Sequence, residues 1–152
     1  MRVFLRAALL ALGLTVSFAA PALADQPPVY QSLFNRTGAG GYDVVSFFTD
    51  HQPVRGVAQY KTTHQGVEYR FASAEHLAAF RAEPARYLPQ YGGYCAWAVS
   101  QGYTAPGDPR YWRIVDGKLY LNYDASVQRR WEADIPGFIR SANSNWPSVL
   151  AR

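Results

Sequence analysis

The sequence predicts a small single-domain α+β fold with two β-hairpins and several short helices. Two features point to it most directly. β-rich runs are broken by Gln65-Gly66 and by Asp116-Gly117, and each run is followed by a stretch that opens on a good helix cap, Ser73 or Asp124. The third is the lack of any internal repeat, low-complexity tract or long linker. Strands and helices in this order fit one α+β domain around one core.

The elements follow in chain order. Residues 25–40 are rich in Pro, Gly, Gln and Asn and read as an extended lead-in. Gly41-Tyr42-Asp43-Val44-Val45-Ser46-Phe47-Phe48 is the first core segment, too short for its period to separate strand from helix. His51, in the turn cluster after it, reads as an exposed loop residue. Residues 58–72 form the first hairpin, with Val67, Tyr69 and Phe71 alternating along its second strand and His64 solvated beside the turn. Ser73 caps a helix to about Glu83 with Leu77 and Phe80 inward, and Pro84 opens a shorter one closed by Pro89.

Gly92-Gly93 then breaks the chain before Tyr94-Cys95-Ala96-Trp97-Ala98-Val99, which reads as a short helix ending at Gly102 or a buried strand, the helix being favoured. Asp116-Gly117, between Tyr111–Val115 and Lys118–Asn122, is the strongest hairpin signal in the chain. Asp124 caps a helix carrying Val127 and Trp131, and Asp134 starts a last one carrying Phe138, Ile139 and Trp146.

The N-terminus has the parts of a secretory signal: Arg2 and Arg6, an apolar run over residues 7–20, and Ala22-Leu23-Ala24 as the cleavage site. Cleavage after Ala24 leaves 128 residues, enough for one domain. The leader holds two of the fifteen basic residues and none of the eleven acidic ones, so the mature charge is +2 instead of +4. That charge gives no footprint for nucleic acid. No later stretch is apolar for long enough to span a bilayer, so a periplasmic or secreted product without stable membrane insertion is expected.

Cys95 is the sole cysteine, so it has no intrachain disulfide partner. A lone thiol in an oxidising compartment is either a buried filler or a functional group. As the latter it needs a depressed pKa and some exposure. If Tyr94 opens a helix, Cys95 lies in its first turn, where the dipole favours a thiolate. Gly92-Gly93 would turn N–H groups toward the sulfur, and Tyr91 and Tyr94 would donate hydrogen bonds to it. Tyr94, Trp97, Tyr103, Tyr111 and Trp112 are either core packing or the rim of a ligand site. Asp43 is either a general base or a turn former.

Four ordered motifs carry a resemblance. They are Gly41–Phe48, Tyr69–His76 with Phe80 and Pro84–Leu88, Tyr91–Ala96, and Asp134-Ile135-Pro136-Gly137. Together they resemble the exported YHS domain-containing (seleno)proteins, from about Gly38 to Pro147. The resemblance implies a treble-clef-like YHS core over residues 41–147 with C-terminal helices. It departs at Val44, where the family usually has proline. In some members selenocysteine occupies the position matching Cys95, which implies redox or thiol-exchange chemistry there.

In metal-binding relatives three cysteines fall at the positions of Ser46, Ala72 and His76, so the inherited zinc site is gone. Cys95 and His76 are the candidates for a new soft-metal site, which would suit copper. Three classes therefore stand open. They are a redox-active or thiol-exchanging Cys95 served by a small thiol or small-molecule ligand and supported by Tyr91, Gly93, Tyr94 and Trp97; a copper-binding module using Cys95 and His76; and a structural or interaction domain. No residue pattern identifies a protein partner.

Overall fold

The computed structural model describes residues 25–151, so the expected leader at 1–24 and its expected cleavage site lie outside the described residues. Each β-rich run closes into its own antiparallel hairpin. β1 (Val57–His64) pairs with β2 (Val67–Phe71), and β3 (Asp108–Val115) pairs with β4 (Lys118–Asn122). Both turns hold two residues at positive φ, Gln65 and Gly66 in one, Asp116 and Gly117 in the other. That geometry matches the twist of paired strands and explains why the two glycine turns were decisive. The expected α+β fold is what forms.

The helices also start where their caps stand. Ser73 Oγ accepts from His76 N–H to open α2 (Ala74–Ala82), Asp124 accepts from Val127 N–H to open α5 (Ala125–Glu132), and Asp134 does so from Gly137 N–H for α6 (Ile135–Asn145). Shorter helices are α1 (Ser46–Thr49), α3 (Pro84–Tyr87) and α4 (Ala96–Ser100). Val44, Val45, Tyr69, Phe71 and Phe80 form one core cluster, and Tyr91, Tyr94, Val99, Tyr120 and Trp131 another. Phe47 joins them by packing against Leu119 and Leu121 of β4. His64, expected in solvent, is partly buried with its ring edge-on to Phe80 at 5.8 Å.

The chain does contain a structural repeat, which corrects the reading that none exists. Ala39-Gly40-Gly41 and Tyr91-Gly92-Gly93 have matching φ angles, 51°, 60° and 82° against 55°, 61° and 82°. Asp43 N–H donates to Val54 O at 2.8 Å, and Cys95 N–H donates to Ala105 O at 2.9 Å. Tyr42 bridges Arg55 as Tyr94 bridges Pro106. The hairpins have equal strand lengths, and each shifts register once, between Val57 and Lys61 or between Asp108 and Trp112. A capped helix follows each. Asp43 in the first half thus stands where Cys95 stands in the second, and His76 where Val127 stands.

The lead-in ends in a 3-10 turn at Gly38–Gly41 and bridges to β2 through Thr37 and Glu68, and its start is fastened to the second half. Gln26 N–H donates to Leu150 O at 2.7 Å, Tyr30 N–H to Gly92 O at 2.9 Å, and Tyr94 OH to Pro27 O at 2.8 Å. No helix among the described residues is long and apolar enough to cross a membrane.

Candidate functional site

In the first half, Asp43 is fully buried, and its carboxylate is held from three sides by backbone. Oδ1 accepts from Val45 N–H (2.9 Å) and Ser46 N–H (3.3 Å), and Oδ2 accepts from Ala72 N–H at 2.9 Å. His76 closes the fourth side, its Nδ1 2.6 Å from Asp43 Oδ2. A carboxylate there only accepts, so the proton sits on His76 Nδ1. Nε2 faces the Thr49 hydroxyl at 3.2 Å and Asp50 Oδ1 at 3.7 Å. Asp43 therefore forms the turn into α1, ties it to the end of β2 and fixes α2 over both.

The second half builds the same frame around a sulfur. Cys95 is 1% exposed. Its thiol donates toward Asn122 Oδ1 at 3.6 Å. The backbone N–H groups of Ala98, Tyr123 and Trp97 lie where they favour negative charge on Sγ, and they belong to the residues equivalent to Ser46, Ala72 and Val45, whose N–H groups bond to Asp43. Here the fourth side is open. Val127 replaces the imidazole, and a cavity of about 200 Å³ lies above the sulfur. Trp97, Ala98, Tyr103, Ala105, Tyr123 and Val127 line it with Cys95.

Burial pushes the Cys95 thiol above its ordinary value, and the carboxylate of Asp124 adds to the rise. The three N–H groups work the other way and are outweighed. The expected placement in a helical first turn does not occur. Tyr94 is extended, Cys95 is the N-cap of α4, and the helix begins at Ala96. One short turn of dipole does not offset the loss of water around the sulfur.

The structure also reassigns several candidates. Tyr91 donates its hydroxyl to Asn143 Oδ1 at 2.8 Å and Tyr94 to Pro27 O, so neither serves the sulfur. Burial, with the Tyr30 ring beside it, pushes the Tyr94 hydroxyl up to about 12. The Gly92-Gly93 pair does not supply the donors, which come from α4 and Tyr123. Gly92 sits under the lead-in, where a Cβ would strike Pro28 O. Gly93 holds a positive φ, and its carbonyl packs so closely on Gly107 that a Cβ at 107 would strike it. Trp97 and Tyr103 do form a cavity rim, edge-on to each other at 6.4 Å. Tyr111 and Trp112 are not in that lining, and Trp112 packs on Phe47.

Cys95 and His76 are not brought together. His76 takes Asp43, Thr49 and Asp50 as neighbours, whereas Cys95 takes Asn122 and its cavity. Among the described residues no group of three or more His, Cys, Asp or Glu side chains is arranged to hold a metal ion. The donor set therefore does not fit a copper centre built on this pair.

Asn122 escaped the sequence reading. It is fully buried, its Oδ1 also accepts from Trp97 N–H at 3.2 Å, and its Nδ2 has no partner. A polar residue matching Phe71, once the halves are aligned on the hairpin glycines Gly66 and Gly117 and the caps Ser73 and Asp124, was the available signal.

No curated protein and no solved structure matches the chain. A family model does: residues 45–91, which take in His76 and stop short of Cys95, form a YHS domain.

Proposed function

We propose that this is an exported YHS-type protein in which Cys95 is the working group, a thiol oxidised or exchanged by a small molecule that enters the cavity above it. The observation that carries this reading is the frame itself. Backbone N–H groups of the residues equivalent to those that hold the Asp43 carboxylate favour negative charge on Sγ, and the side left open is a cavity instead of a histidine. Backbone donors aimed at one atom stabilise negative charge on it. Burial and the lack of a cationic partner leave the thiol protonated at rest, against the depressed pKa and exposure that a reactive thiol needs, so only its small thiolate fraction reacts and the reaction is slow.

The chain has no second cysteine, so any resolving thiol comes from a small molecule or another protein. Export rests on the basic start, apolar run and Ala22/Ala24 pair of the leader. YHS domains are often associated with copper binding, and here no observation favours a copper site using Cys95.

Iodoacetamide alkylation of the folded, purified protein against pH tests the reading, with Cys95→Ser as the blank. Slow modification at neutral pH is expected, with a midpoint above the ordinary thiol value of about 8.5. A thiol that stays unmodified at every pH where the fold persists, and reacts only in denaturant, would sink it.

A further inference from the structure

We propose that the turn at Leu33-Phe34 is a peripheral membrane anchor: its two side chains enter the apolar layer of a bilayer while Arg36 and Arg70 meet anionic lipid phosphates. Exposure points to this first. Val57, Tyr103 and Tyr123 are half-exposed, whereas Leu33 is 91% exposed and its neighbour Phe34 101%. A single exposed apolar residue is ordinary, but two adjacent ones with almost no contact add nothing to the fold and present bare hydrocarbon to water.

The turn that carries them is held from both sides. Asn35 N–H donates to Ser32 Oγ at 3.0 Å, Asn35 Oδ1 accepts from Thr37 N–H at 3.2 Å, and Asn35 Nδ2 donates to Gly40 O at 2.9 Å. Thr37 then bridges Glu68 of β2. The tip is thus presented in a fixed shape beside the first hairpin, and it gives up little freedom on binding.

The surface next to the tip supplies the second observation. An open groove of about 530 Å³ is lined by Phe34, Asn35, Arg36, Thr37, Glu68 and Arg70. Glu68, its acidic member, is already 2.7 Å from Arg70 Nε and 3.4 Å from Lys61 Nζ. Arg36 is exposed and has no ion pair among the described residues. Arg70 spends only Nε on Glu68, which leaves its terminal nitrogens for a phosphate. Arg36, Lys61 and Arg70 therefore stand against one carboxylate, an excess of positive charge beside an apolar tip.

This pairing fits a lipid surface better than a protein. Two side chains bury on the order of a few hundred Å², well short of the roughly 1,000 Å² that a specific protein interface needs. A second copy would bring the same positive charge against itself. A bilayer needs no matching shape, and it offers hydrocarbon to the tip and phosphate to the arginines together. Attachment through one tip is reversible and lies on the membrane instead of spanning it.

The test uses the chain from Asp25 on, which holds every described element, because the apolar run over residues 7–20 would bind lipid by itself. It is sedimented with sucrose-loaded vesicles, one set of equal parts phosphatidylglycerol and phosphatidylcholine, the other of phosphatidylcholine alone. Binding to the anionic set is expected, weakened by salt and at least about tenfold tighter than to the neutral set. Replacing both tip residues, Leu33→Ser with Phe34→Ser, should weaken it at least about tenfold. Arg36→Gln should weaken it about fivefold. Urea midpoints should not move, since all three side chains are exposed. Equal pelleting of wild type and the double variant overturns the anchor and leaves adsorption by charge alone. Equal binding to both vesicle sets overturns the role of the arginines. No pelleting above that seen without vesicles overturns the proposal outright. So does a dimer in sedimentation velocity that the double variant loses, which would assign the tip to a second copy.

Discussion

Asp43 and Cys95 sit in equivalent frames and have opposite needs. Removing the carboxylate by Asp43→Ala leaves the N–H groups of Val45, Ser46 and Ala72 and the His76 ring without their acceptor. A loss of about 3–5 kcal/mol is expected, read as a fall in the urea midpoint. For Cys95 the linkage has a defined sign. Folding raises the thiol pKa, so the folded state holds the proton more tightly than the unfolded chain does. Stability from this group is present in full below the ordinary thiol value and lost as pH rises through the raised one. Urea titrations should show wild type losing more stability than Cys95→Ala over that alkaline window, and parallel curves would refute it. A lone cysteine was visible in the sequence, but its burial was not. Burial depends on Trp97, Ala105 and Tyr123 converging from three separate segments.

At the scale of elements, the contrast between α2 and α5 decides what each half can do. Both are capped helices following a hairpin, and they present His76 and Val127 at the same place. Val127→His should therefore supply the missing imidazole and pair it with the thiol. Alkylation at neutral pH is expected to rise about tenfold or more as the thiolate becomes paired. A rate equal to wild type in a folded variant would show that the halves are not equivalent at this point.

The hairpins and caps were legible because Gln65-Gly66, Asp116-Gly117, Ser73 and Asp124 act locally. The repeat was not, because what the halves share is mostly backbone. Ala39 and Tyr91 hold the same positive φ with unlike side chains, and only Gly-Gly-Tyr survives as a common string. A site copied in geometry but not in residue type leaves little trace in a single sequence.

For the whole molecule, the lead-in is the part that ties the ends together. Gly40 and Gly92 share a left-handed conformation, yet their surroundings differ. A Cβ at Gly40 meets nothing closer than Pro109 Cγ at 4.0 Å, whereas one at Gly92 meets Pro28 O. Gly40→Ala should cost only the backbone strain, about 1 kcal/mol. Gly92→Ala should cost clearly more and loosen residues 26–30, seen as earlier cleavage there in limited proteolysis. Equal costs would mean that the lead-in does not rest on Gly92.

The bond from Gln26 to Leu150 has a consequence for connectivity. It places the two ends of the described chain side by side, while the halves are joined only by the short stretch through Pro89. The order of the halves along the polypeptide is thus a matter of which peptide bond is left open. A circular permutant that links the two ends through a few glycines and begins at Gln90 should reach the same fold, with the Cys95 half now synthesised first.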